Sequence, residues 1–382
     1  MKIIVAPDSF KSSMSAISAA NAIERGIKKA GDFYNTNYDV IKVPMADGGE
    51  GTVDAVINSI GGRKIYTEVL DPLGRKINSF FGILGKETAI IEMAASSGLH
   101  LLSDKEKNPM ETTTYGTGQL IKRALDEGCK HIIIGLGGSA TNDGGVGMAQ
   151  ALGIKFLDNE GREIGFGGQN LKHIKSIDIS GLDKRIDDVK ITVASDVKNP
   201  LCGPQGASAV YGPQKGATPE MIKILDDNLK HLTEIIKKDL KKDIRNIPGA
   251  GAAGGLGAAL IAFLDANIRS GIEIIMELSN FEQQVENCDV VITGEGSTDY
   301  QTMFGKVPYG VGQVAKKYNK PLICISGSLK EGYESLYDEG VTALFSISPG
   351  PISLKDSIER GDELLERVSE NVMRIFFLRG DV

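Results

Sequence analysis

Two glycine-rich stretches carry the residues of this chain whose types and spacing could do chemistry. From Ile132 to Gly147 the sequence runs IIIGLGGSATNDGGVG, and from Val290 to Pro308 it runs VVITGEGSTDYQTMFGKVP. In each, a β-branched run with the length of a buried parallel strand breaks into glycines, which let backbone amides approach an anion. The first stretch sets Ser139, Thr141, Asn142 and Asp143 between its glycines; the second sets Glu295, Asp299 and Lys306. Loops of this kind hold a nucleotide or a phosphorylated substrate at the carboxyl ends of strands.

Carboxylates follow strand-like runs elsewhere as well: Asp8 after IIVAP, Asp47 and Glu50 after VPMA, and Asp196 after ITVAS. Taken singly, each reads as a solvated turn residue or a helix N-cap. Together with Asp143, Glu295 and Asp299, at strand ends that share one rim in an α/β fold, they suit Mg²⁺ carrying phosphates. Lys11 and Lys306 stand in the same kind of loop, where a lysine is a point charge for phosphate oxygens. Gly135–Ala140 (GLGGSA) also fits the dinucleotide fingerprint, with Asp158 downstream. The TNDGG that follows is turn chemistry where the fingerprint helix should already be running. GAGAAG (Gly249–Gly254) follows Pro248 rather than a strand and reads as close helix packing, and no Walker A motif is present. The four histidines show no metal spacing.

The elements that must position these loops begin with a strand at Ile3–Ala6, a helix over Ser15–Lys29 with apolar residues at i, i+3, i+4 and i+7, and a strand at Val40–Val43. This βαβ opening starts a parallel sheet. From Ile65, short β-rich runs alternate with turn signals as antiparallel hairpins, and 116–127 returns to helical spacing before the Ile132 strand. After Cys288 the order is strand, loop, helix, strand, strand, and a last helix over 354–374. The expectation is an α/β protein of two domains: a discontinuous Rossmann-like parallel-sheet domain (1–65 and 280–382) and an inserted α+β domain (66–279), with the active site in a cleft between them.

Composition narrows the function classes. A chain of 382 residues is long for one core, and its 47 glycines exceed the typical share of roughly 7%. Net charge is −7, with no basic run carrying interleaved aromatics, which argues against nucleic acid. Four dispersed cysteines fit reduced thiols in the cytoplasm. Gly249–Leu264, the most membrane-like stretch, is shorter than a span and reads as a buried helix with a glycine-rich start.

Six blocks, in order along nearly the whole chain, resemble the bacterial type I glycerate kinase family: APDSFKSSMSA (6–16), MADGGEGT (45–52), TTYGTGQLI (113–121), GLGGSATNDGGVGM (135–148), SDVKNPLCGPQGA (195–207), and VITGEGSTDYQT with GKVPYGV (291–302 and 305–311). The departures are Ser12, where the family usually has Gly, and Ser297, where it usually has a basic residue. The resemblance implies ATP-dependent phosphorylation of D-glycerate, usually at the 2-hydroxyl, with Mg²⁺. It assigns Gly137, Gly138, Ser139, Thr141, Asn142, Gly294 and Gly296 to ATP, and Asp47, Glu50 and Glu295 to Mg²⁺. Lys11 and Lys306 would neutralise the transferring phosphoryl, and Asp196, with Asp8 as the alternative, would orient or deprotonate the hydroxyl. Ser9, Asn199 and Asp299 fall to the substrate. Other readings remain at this point: transfer to the 3-hydroxyl, a nicotinamide-dependent hydroxyacid oxidoreductase resting on Gly135–Ala140, and a non-catalytic sensor resting on Ser297. Whether the chain is a monomer or a homo-oligomer is open.

Overall fold

The computed structural model describes residues 1–46 and 48–378; Asp47, assigned above to Mg²⁺, lies outside them. The chain divides into two compact units.

The first unit comprises Met1–Asp47, Asp54–Gly61 and Ile272–Val382. Its five strands are all parallel, in the spatial order Ala343–Ser346, Leu322–Ser326, Val290–Thr293, Lys2–Val5, Asp39–Lys42. Numbered along the chain the order is 2-1-3-4-5, the flavodoxin-like version of a doubly wound sheet rather than the 3-2-1-4-5-6 of a dinucleotide-binding one. The central strands are β-branched throughout, and Ile3, Ile4, Val5, Val290, Val291 and Ile292 are fully buried, as a parallel sheet covered on both faces requires. On one face lie Ala19, Ala20, Ile23 and Ile27 of the helix Ala16–Tyr34, whose first turn is capped by Ser15. The last helix is two helices, Leu354–Glu359 and Gly361–Leu378. They part at Arg360, and Gly361 lies against Ser13, where a Cβ would come within 2.2 Å of the Ser13 hydroxyl.

The second unit comprises Gly48–Val53 and Gly62–Gly271. Four parallel strands, Asn267–Arg269, Lys190–Ala194, His131–Gly135 and Thr88–Glu92, continue into the antiparallel pair Lys76–Leu84 and Arg63–Leu70. The hairpin turn DPLG is pinned by Asp71, whose carboxylate accepts from Leu73 N and Arg75 N, both at 2.8 Å. Sequence placed the borders at 65/66 and 279/280, whereas the units change at 61/62 and 271/272 and Gly48–Val53 packs with the second. The reason is Glu92: buried at a strand end, it accepts from Gly51 N (3.2 Å) and Val53 N (2.7 Å). Glu92, Gly135, Ala194 and Arg269 are register partners across four strands, so their following loops leave from one rim. The glycine-rich 249–255 segment ends in a short turn, Ala252–Gly255, before the buried helix Leu256–Leu264. Among the described residues no helix is long and apolar enough to cross a membrane.

Candidate active site

The loop after His131–Gly135 is closed by backbone and hydroxyl bonds. Leu99 N donates to Gly138 O at 2.8 Å, Ala140 N to Ser97 O at 2.9 Å, and Thr112 Oγ1 to Ala140 O at 3.0 Å. Gly137 rests on Gly49, whose Cα would lie 2.6 Å from an added Cβ. Asp143 is structural: its buried carboxylate accepts from Thr114 N and Thr114 Oγ1 (both 2.8 Å), Gly145 N (3.0 Å) and Gly147 N (3.2 Å). Burial pushes its pKa up, and those donors pull against it. The first helix after the strand begins only at Val146, so Gly135–Ala140 does not open a helix as a dinucleotide fingerprint does.

Within that loop Ser139 is 8% exposed, and Thr141 and Asn142 are fully buried. Lys215, on the turn Pro213–Lys215, is 1% exposed and donates from Nζ to Ser139 Oγ (2.7 Å) and Thr141 O (2.6 Å). Burial draws its pKa down to about 7, opposed by the charge of Asp143. Asn142 Oδ1 accepts from Ser208 Oγ at 3.2 Å. Thr141 Oγ1 and Asn142 Nδ2 are buried without a hydrogen-bond partner among the described residues. Among the described residues the amides of Gly138, Ser139, Thr141 and Asn142 donate to nothing. A buried donor without an acceptor costs about 1–3 kcal/mol. Gly138 is exposed, whereas the unsatisfied donors of Ser139, Thr141 and Asn142 are buried and of the kind an anion can complete.

The other residues assigned to this unit are placed differently. Asp196 is half-buried two residues past the carboxyl end of Lys190–Ala194, on the same rim as the loop. Asn199 acts locally: its Nδ2 donates to Gln205 O (2.8 Å) and its Oδ1 accepts from Tyr211 Oη (2.8 Å). Glu50 is exposed.

In the first unit the strand order reverses between Lys2–Val5 and Val290–Thr293, and at such a switch point the loops part and leave a crevice. Both candidate loops of this unit leave from there, and Asp8 N donates to Gly294 O at 2.8 Å. Ser9 N donates to Asp8 Oδ1 at 2.6 Å. Lys11 is exposed at the tip of the tight turn between Phe10 and Met14. Gly294 is demanded by packing, since a Cβ there would stand 1.9 Å from Ile325 O; at Gly296 it would meet Lys11 N at 3.2 Å.

Glu295 is 5% exposed, and its Oε1 accepts from Thr298 Oγ1 (3.0 Å) and Thr302 Oγ1 (2.6 Å). Its Oε2 lies 3.6 Å from Lys306 Nζ. Burial pushes its pKa up, while the two hydroxyls and Lys306 favour the charged form. Asp299 caps the turn Tyr300–Phe304 by accepting from Gln301 N (2.9 Å), and its Oδ1 is 3.8 Å from Lys306 Nζ. Ser297, the departure from a basic residue, accepts from Ser328 Oγ at 3.1 Å.

The carboxylates expected on one rim therefore divide: Asp8, Glu295 and Asp299 follow strands of one sheet, and Glu50, Asp143 and Asp196 belong to the other unit. Among the described residues no three of His, Cys, Asp and Glu stand together as a metal cage. Sequence reasoning passed over Lys215 and Glu92. The signal for Lys215 was its setting in GPQKGATP, a lysine between turn residues that fix where it points. His131 bonds Thr192 Oγ1 (2.9 Å) and His231 bonds Ile174 O (2.7 Å), both structural.

The sequence model of the Glycerate kinase family matches residues 3–377. The chain belongs to the glycerate kinase family. It is 52% identical to the glycerate kinase of Bacillus subtilis and 51% identical to the glycerate 2-kinase of Escherichia coli, each over 97% of both chains. Its fold matches the crystal structure of putative glycerate kinase 2 from Salmonella typhimurium LT2 with a TM-score of 0.88, at 47% identity and over 100% of both chains. The family assignment makes this an ATP-using enzyme.

Proposed function

We propose that this chain phosphorylates D-glycerate at its 2-hydroxyl with ATP, giving 2-phosphoglycerate and ADP. The observation that carries the reading is identity of 51% to a glycerate 2-kinase over 97% of each chain. Phosphoryl transfer asks little covalent chemistry of a protein and much positioning and charge neutralisation. In this reading the amides of Gly137 and Gly138, with Ser139, Thr141 and Asn142, seat ATP phosphates. Gly294 and Gly296 let the Glu295 loop come close to the nucleotide. Lys11 and Lys306 neutralise the transferring group, Asp196 orients or deprotonates the hydroxyl with Asp8 as the alternative, and Ser9, Asn199 and Asp299 contact glycerate.

Mg²⁺ would enter with the phosphates. It typically takes one or two carboxylates, with waters and phosphate oxygens for the rest. Glu295 Oε2, which takes no hydroxyl donor, and Glu50 are the described oxygens for it, beside Asp47. Bound there it would screen charge on the transferring phosphoryl. We place the enzyme in the cytoplasm, where its four buried free thiols stay reduced.

The test mixes the protein with D-glycerate, ATP, Mg²⁺ and enolase, without phosphoglycerate mutase. Phosphoenolpyruvate absorbance and ADP should rise together. ADP without phosphoenolpyruvate would move the transfer to the 3-hydroxyl, and no glycerate-dependent ADP would overturn the reading.

A further inference from the structure

Lys215 is the one residue of the Gly137–Asn142 region that no function above explains. Its ammonium is buried against a hydroxyl and a carbonyl, neither of which is a carboxylate. A charge placed so is a cost to the fold, and a fold keeps such a cost where it serves something else. What the ammonium holds is specific. One bond fixes the Ser139 side chain and the other fixes the carbonyl of Thr141, so the two contacts clamp both ends of the Ser139–Thr141 turn. The donors that this turn presents, Thr141 Oγ1, Asn142 Nδ2 and the amides of Gly138, Ser139, Thr141 and Asn142, are those without acceptors. Gly254 closes the turn from behind, with its O accepting from Gly144 N at 3.0 Å.

We propose that Lys215 is a positioning residue for the phosphate seat, clamping Ser139 and the Thr141 carbonyl so that the donors of the loop converge on an ATP phosphate oxygen. An ammonium has three protons, and two are used by the clamp. The positive charge reaches the seat through a low-dielectric interior, where it acts at longer range than in water. The assignment rests on the reading of this loop as the ATP phosphate seat. It adds that the seat's shape depends on a side chain from a separate turn, at Pro213–Lys215.

The experiment compares Lys215→Met, Lys215→Arg, Ser139→Ala and Asn142→Ala by kcat, by KM for ATP and for glycerate, and by Tm. Lys215→Met should raise KM for ATP about 10- to 100-fold, the worth of a hydrogen bond to a charged group. KM for glycerate should stay within about twofold of wild type, because uniform loss at one subsite leaves the other intact. Its Tm should hold or rise, because the buried charge is gone. Lys215→Arg, which keeps charge and donors, should recover most of the ATP affinity. A Lys215→Met protein with intact Tm and unchanged KM for ATP overturns the proposal. So does a lowered Tm with both KM values and kcat falling together and no recovery in Lys215→Arg, the pattern of a packing residue. If Ser139→Ala and Asn142→Ala raise KM for ATP and Lys215→Met does not, only the role of Lys215 fails. If none of the three moves it, the phosphate seat itself is misplaced and both readings go.

Discussion

The loop after His131–Gly135 and the loop after Val290–Thr293 have the same outline in sequence and opposite chemistry in the structure. Both leave a buried strand with a β-branched core through glycine. The first turns Ser139 Oγ and the Thr141 carbonyl toward a buried ammonium as acceptors, leaves the donors of Thr141 and Asn142 unpaired among the described residues, and has its one carboxylate, Asp143, consumed by four bonds. The second is built around acceptors, with Glu295 buried and Lys306 half-exposed across from it and from Asp299. A glycine-rich loop after a strand thus states that something approaches the backbone closely. The sign of what approaches is set by the side chains the loop buries.

The largest effect should come from the carboxylate proposed to handle the acceptor hydroxyl, for which each unit offers one candidate. Asp196 leaves the rim that also carries the donor loop, and Asp8 leaves the switch point beside Glu295. Asp196→Asn should lower kcat about 10²- to 10⁴-fold, the usual worth of a general base. Asp8→Asn should cost less, and steady-state kinetics of the pair decide which unit supplies the group. An inverted ranking would transfer the role to the acidic side.

Individual glycines around the two loops should differ in how hard they are to replace, whichever loop they serve. Gly254 has φ +67°, and a Cβ there would stand 2.0 Å from Thr141 O, in the heart of the donor loop. Gly254→Ala should cost about 2–4 kcal/mol through backbone strain and overpacking. Gly296→Ala, with its nearest contact at 3.2 Å and no positive φ, should cost about 1 kcal/mol or less. Calorimetric Tm values for the two proteins check the difference, and equal losses would mean that the donor loop yields more readily than its packing indicates.

On the acidic side the comparison turns on pH. Burial raises the pKa of Glu295 above the 4.5 of an ordinary glutamate, so between those two values the folded chain binds more protons than the unfolded one. Stability contributed by the protonated form is present below pH 4.5 and is lost as pH rises through the folded value. Glu295→Gln, which stays neutral, should therefore match wild type in acid and exceed it in denaturation midpoint at neutral pH, while losing activity. A Gln protein less stable than wild type at pH 7 would place the ion pair with Lys306 above the burial cost.

Much of this was legible in the sequence because it rests on periodicity and turn chemistry. The alternating runs after Ile65 became the antiparallel pair Arg63–Leu70 and Lys76–Leu84, and the βαβ opening became one side of a parallel sheet, with Asp39–Lys42 at its edge. What sequence did not carry were contacts made at long separation. Glu92 draws Gly51 and Val53 into the other unit across about forty residues of chain, and Lys215 reaches a loop more than seventy residues upstream. The GPQKGATP turn marks Lys215 as held in place without showing what it reaches, and Glu92, at the end of a strand, reads the same whether solvated or buried. The strand order, which decides that Asp8 and Glu295 flank a switch point, is likewise a property of pairing rather than of any one segment.

The smallest expected effect concerns Ser12, beside Lys11 in the turn that the acidic side shares. Its φ of +68° lies in the left-handed region, where a residue with a Cβ is strained and glycine is not. Ser12, a departure from the glycine usual in the family the sequence resembles, thus holds a conformation that glycine adopts without strain. Ser12→Gly should relieve roughly 1 kcal/mol of strain, and the greater freedom of the unfolded chain should return part of it, leaving a net gain below about 1 kcal/mol. Because Ser12 is exposed and the turn is already closed by Met14 N donating to Phe10 O at 2.9 Å, its shape should not change. Activity should therefore stay level while the Tm rises slightly. A fall in Tm would mean that this backbone is held by its surroundings at no cost, and that glycine only loosens it. The donor loop offers the contrast: its αL position at Gly138, φ +74°, already carries glycine, so the same gain is not available there.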